Sequence, residues 1–172
     1  VNEAATLLHL SADQVIEKKQ TSLFLYKEKN GKWTGYANQQ YGYFASDLLR
    51  QKLGSSGNNI LLNEMVAGYG NDLKIDSLEV ESLASFDEPL TAKYIIRNET
   101  EAEDIIYFSP VLGARLKENP FKSAERKYPV EMPFAINELY TLSMEIPDGY
   151  TVDELPKSVN LMLNAKKEAV FE

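Results

Sequence analysis

Thr21-Ser-Leu-Phe-Leu-Tyr-Lys27 and Lys32-Trp-Thr-Gly-Tyr-Ala-Asn-Gln39 flank Asn30-Gly31. Asn-Gly between two strand-like runs is the strongest short-range hairpin signal, because a type I′ turn needs positive φ at both central residues. The pattern extends outward from there. Ala4 to Leu10 reads as a preceding strand. From Tyr43 to Leu53 the apolar Phe44, Ala45, Leu48, Leu49 and Leu53 recur at helical spacing, and Gly54 is placed to end that helix through a left-handed residue. Ser55-Ser56-Gly57 then reads as a linker. Asn58 or Asn59 is suited to cap a second helix with Ile60, Leu61, Met65 and Gly68 on one face. Two short helices, each with one apolar stripe, are expected to cover one face of the hairpin sheet.

Beyond Asp72 the helical period stops. Leu73 to Leu83 is extended but changes phase, with Leu73 and Ile75 before Ser77 and Leu78 and Val80 after it, which predicts a bulge there. Leu90, Ala92, Tyr94 and Ile96 alternate with Thr91, Lys93, Ile95 and Arg97, and Asp104 to Phe108 is a further candidate strand. In Glu138 to Ile146, Tyr140, Leu142, Met144 and Ile146 face one way, and Thr141, Ser143 and Glu145 the other. Pro147 ends that strand, Asp148-Gly149 supports a tight turn, and an apolar series resumes toward Val159 to Leu163. The expected fold is α+β and mainly antiparallel. Residues 1–70 would form a hairpin sheet with two short helices, and residues 71–172 an antiparallel lobe of sandwich-like or open-barrel form, truncated at its C-terminus. The chain opens on Val1-Asn2 and closes on Glu168-Ala169-Val170-Phe171-Glu172, which reads as the start of another strand, so a segment of a longer polypeptide is expected.

Composition narrows the function classes. The chain has 172 residues, 44% hydrophobic and 26% charged, the balance of an ordinary globular domain. A net charge of -8 repels phosphate backbones, and no cluster of Lys and Arg interleaved with aromatics offsets it, so nucleic acid is not an expected partner. Zero cysteines exclude disulfides, thiolate metal sites and a cysteine nucleophile. No apolar run is long enough to span a bilayer.

Chemistry-bearing residues are sparse. The single histidine, His9, lies between Leu8 and Leu10 without the further ligands zinc needs or a nucleophile to activate. Glu99, Glu101, Glu103 and Asp104 lack the glycine and the alternating order of a calcium loop, and a solvated hairpin tip is expected instead. Asn98-Glu99-Thr100 matches a glycosylation acceptor only in its three letters, and Gly68-Tyr69-Gly70 lacks the third glycine of a dinucleotide loop. No catalytic, metal or cofactor-binding residue is assigned. The dense aromatics Trp33, Tyr36, Tyr41 and Tyr43, with Phe44, are the one candidate contact surface, since tyrosine and tryptophan join a large apolar face to a polar tip. Against this, alternation alone would turn half of them inward, with Trp33 and Phe44 in the core.

Two segments carry a family resemblance. Glu125-Arg126-Lys127-Tyr128-Pro129-Val130, and Pro147-Asp148-Gly149-Tyr150 through Glu154-Leu155-Pro156-Lys157, resemble the region that follows the transglutaminase-like core in a family of large bacterial cell-envelope proteins. Lys32-Trp33-Thr34-Gly35-Tyr36, Tyr41-Gly42-Tyr43-Phe44-Ala45 and Leu48-Leu49-Arg50 add an upstream match. The resemblance implies a periplasmic or cell-surface setting and an upstream catalytic domain of the same polypeptide as partner. Residues 1–70 would end that core or bridge from it. The core depends on a cysteine that this chain lacks. The expected role is therefore a non-catalytic accessory region that packs against or positions the core. The alternatives are a glycan- or peptide-binding module that uses surface aromatics, and a carboxylate-based hydrolase, for which no facing pair of acids is found.

Overall fold

A computed structural model describes residues 15–57, 61–63, 65, 73–98, 105–107, 111, 125, 127, 134–167 and 169–172. The strand expected at Ala4 to Leu10, His9, the acidic run from Glu99 to Asp104, the Gly68-Tyr69-Gly70 motif and the caps Asn58 and Asn59 lie outside them.

The hairpin forms where Asn30-Gly31 places it. Strand β1 (Ile16–Lys27) pairs antiparallel with β2 (Trp33–Gln40), in a register that sets Phe24 opposite Tyr36 and Leu23 opposite Ala37. Gly31 has φ +86°, and Gly31 N–H donates to the Glu28 carbonyl at 2.9 Å. The Glu28 carboxylate accepts from the Thr34 hydroxyl and the Asn30 amide, and these two bonds, in that order, hold its pKa below the ordinary glutamate value.

Helix α1 (Tyr43–Ser56) follows after two residues. Its C-terminus lies three residues beyond the sequence expectation. Gly54 is inside the helix, and Gly57, at φ +69°, ends it with its N–H on the Leu53 carbonyl. The reason is the accounting of free carbonyls: the glycine that stops a helix is the one whose amide reaches back to the last turn. Residues 61–63 and 65 are helical again, with Leu61 and Met65 buried.

Strands β3 (Leu73–Glu81), β4 (Thr91–Asn98) and β5 (Ala135–Met144) complete an open sheet in the order β3-β4-β2-β1-β5. The phase change near Ser77 is a bulge between Asp76 and Leu78, with Ser77 at φ 43°. Every pairing is antiparallel except β1 with β5, which is parallel over Ile16 to Leu25 and Ala135 to Met144. Strands on both sides of residue 70 thus share one sheet. Residues 105–107 are not in a strand, contrary to the expectation for Asp104 to Phe108. After β5 the described chain is largely irregular, apart from β6 (Leu161–Met162) paired antiparallel with β7 (Val170–Phe171).

The core lies on one face of the sheet. Leu23, Leu25, Ala37, Ala92, Tyr94 and Ile96 project under Leu49 and Leu53 of α1 and under Leu61 and Met65. Leu142 packs against them half-buried, as the alternation of its strand predicts, whereas Met144 and Ile146 in the same phase are exposed. The other face of the sheet carries Phe24, Tyr36 and Ile95, with Tyr36 53% exposed.

Two buried polar groups lock the helix side. Glu17 reaches from β1 to accept the Phe44 and Ala45 N–H groups at 3.1 and 3.0 Å, capping α1 because its N-cap, Gly42, has no side chain to do so. A Cβ on Gly42 would collide with that carboxylate. Arg50 donates to the carbonyls of Leu83, Ser82, Ser85 and Glu88 at 3.2, 2.9, 2.7 and 2.6 Å, so the loop between β3 and β4 folds around its guanidinium. Ser46 joins the same junction, donating to the Tyr41 carbonyl and accepting the Leu90 N–H.

Candidate functional site

The four aromatics expected to form a contact surface do not converge. Trp33 and Tyr41 are half-buried and pack against the core, Tyr43 is exposed in the first turn of α1, and Tyr36 is exposed on the uncovered sheet face. Alternation along β2 separates Tyr36 from Trp33, and the helix carries Tyr43 to the opposite layer. Phe44, also expected in the core, is 40% exposed and stacks on Phe134 at 4.4 Å between ring centroids.

A different group assembles around Tyr36. Phe24, Tyr26 and Tyr36 form a row of nearly parallel rings, with centroids 6.1 Å and 6.0 Å apart and interplanar angles of 26° and 16°. A hydrogen bond between the Tyr26 and Tyr36 side chains is the first cause raising the Tyr26 pKa. Phe24 and Tyr36 of this row line a trough of about 630 Å³ that runs from Ser77 and Glu79 on β3 to Thr141 and Ser143 on β5. Between those ends lie Ser22, Asn38, Lys93 and Ile95. Lys93 is held by Glu81 at 2.5 Å, and that bond is the first cause raising its pKa. Beside it, Arg97 pairs with Asp76 at 3.1 Å.

Phe24 and Tyr26 were legible as candidates. The even positions of Phe24 and Tyr26 oppose the buried odd positions Leu23 and Leu25, and the Asn30-Gly31 turn fixes Phe24 opposite Tyr36. The clustering of aromatics in sequence around residues 33–44 pointed elsewhere.

Glu79 and Glu81 stand two residues apart on β3, both beside Lys93, and among the described residues no group of three or more His, Cys, Asp or Glu side chains is placed to hold a metal. Among the described residues no helix is long and apolar enough to cross a membrane.

The region after β5 presents a second surface. Leu155, Leu163 and Phe171 are 73%, 74% and 66% exposed, and Ile146, Val152, Val159, Leu161 and Met162 are exposed with them. The β6–β7 pair touches no other described strand and no part of α1.

No curated protein and no solved structure matches the chain. Residues 104–170, the segment holding β5, β6 and all of these apolar side chains but Phe171, match the model of a domain of unknown function with a solved structure (DUF3858), a family description that names no activity and no neighbouring catalytic core.

Proposed function

We propose that this chain is a non-catalytic accessory region of a cell-envelope protein, periplasmic or at the cell surface, which packs against and positions a transglutaminase-like catalytic core in the same polypeptide. The observation that carries this reading is the apolar surface of residues 146–171. Three large side chains there are about two-thirds or more exposed. A two-stranded pair such as β6–β7 is marginal in water without a hydrophobic layer against it, and large apolar side chains exposed along one segment favour contact with other protein. The resemblance of Pro147 to Lys157 to the region after such cores supports this choice of partner. The absence of cysteine from the sequence and the scattered carboxylates support a role without chemistry of its own.

The 172-residue chain is expected to show no turnover of peptide, ester or glycoside substrates and to associate weakly with itself or with the separately made core. Replacing Leu163 and Phe171 with Ser should abolish that association, measured by sedimentation, without changing the unfolding midpoint. Turnover that disappears in His9→Ala, or a chain that stays monomeric and ignores the core at high concentration, would overturn the reading.

A further inference from the structure

We propose that the face of the five-stranded sheet that no described element covers is a binding platform for a neutral oligosaccharide, with the exposed rings of Phe24 and Tyr36 as its stacking surface. This site is separate from the apolar surface after β5 and stands whether or not that surface meets a catalytic core.

Three properties of the face specify the ligand. The first is charge. Of the residues lining the trough only Glu79 and Lys93 are ionic, and they are of opposite sign. Lys93 is paired with Glu81, and Arg97 beside it with Asp76. Together these five groups carry one net negative charge, and both cations already have a carboxylate partner, so the strip offers an anionic ligand no gain.

The second is the kind of polar group available. Ser22, Asn38, Ser77, Thr141 and Ser143 supply hydroxyls and an amide that both donate and accept, which suits a ligand whose own groups are hydroxyls. Phe24 and Tyr36, 45% and 53% exposed, offer aromatic surface for the C–H face of a sugar ring.

The third excludes the main competitor. An extended peptide binds a sheet by adding to an edge, through main-chain hydrogen bonds. Strands β4, β2 and β1 are paired on both sides, so the floor of this trough has its backbone groups committed to the ladder. Recognition here falls to side chains. The trough crosses all five strands, a run of roughly 19 Å at ~4.8 Å per strand spacing, and its volume of about 630 Å³ falls within the ~300–1,000 Å³ of small-molecule sites. Its elongated form suits a chain of sugar rings.

The test is a nuclear magnetic resonance titration of the 172-residue chain with cellohexaose, xylohexaose, laminarihexaose and chitohexaose, and with a neutral Ser/Thr-rich peptide as a further probe. At least one oligosaccharide is expected to shift the signals of Ser22, Asn38 and Ile95. Tyr36→Leu and Phe24→Leu, which keep apolar bulk but lose the flat ring, should each weaken that binding by about tenfold. Tyr43→Ala, on the helix layer, should leave it unchanged. Two variants guard against one failing to fold, and each is checked by its unfolding midpoint. No shift on this face with any of the four sugars at millimolar concentration would overturn the proposal. So would sugar binding indifferent to both ring variants, or shifts caused by the peptide alone, which would assign the face to a protein partner.

Discussion

Ile96 in β4 and Leu163 just after β6 have side chains of the same size, yet one is 1% exposed and the other 74%. The difference lies in what stands opposite. Ile96 projects from a sheet strand into the layer formed by Leu49, Leu53, Leu61 and Met65. Leu163 leaves a two-residue strand whose only described partner element is another two-residue strand. A sheet face is hidden by a second layer, and alternation in the strand only decides which residues are offered to it. The two regions also differ in polar anchoring. The buried side chains of Arg50 and Glu17 tie α1 to the loop before β4 and to β1 through hydrogen bonds, while the stretch after β5 is held to β1 by the Glu145 N–H on the Leu25 carbonyl and by Lys27 over the Tyr150 ring.

The contrast is open to direct attack. The largest effect is expected in the core. Ile96→Ala should cost about 2–5 kcal/mol through lost burial and a residual cavity, whereas Leu163→Ala should cost less than about 0.5 kcal/mol in the same chain. Equal effects in denaturant unfolding would mean that the two regions share one core.

Next comes the arginine clamp. Arg50→Met keeps the apolar stem but leaves four carbonyls without their donor, for a loss of about 2–4 kcal/mol. Hydrogen exchange should then quicken across residues 82–90, and unchanged protection there would show that the loop holds its shape without the guanidinium.

The smallest effect belongs to the helix cap. Glu17→Ala and Gly42→Ala should each cost about 1–2 kcal/mol, one by removing the carboxylate and the other by displacing it with a Cβ. The double variant should lose little more than either single one, since both break the same two hydrogen bonds. Additive losses would separate the two residues.

Local chemistry made much of the first half legible. The Asn30-Gly31 turn sets the β1–β2 register without help from the rest of the chain, and the phase change at Ser77 announces its bulge, because each depends on residues within one turn or one strand. The alternation of β4 and of Leu142 identified their inward residues for the same reason. Gly54 misled because two glycines follow the apolar stripe closely, and only the completed backbone shows whose amide meets the Leu53 carbonyl. Other features belong to the tertiary structure alone. The parallel pairing of β1 with β5 joins segments more than a hundred residues apart, and no local pattern distinguishes a parallel partner from an antiparallel one at that range. Glu17 and Arg50 are satisfied by a distant helix end and a distant loop, groups that no neighbouring residue announces. Alternation defines two faces for the sheet, but which one is buried was settled by where α1 and the helical residues after it came to rest. That choice left Phe24 and Tyr36 in the open and drew Trp33 and Tyr41 toward the core. A strand offers both faces equally, and only the layer that packs on one of them makes the other a surface.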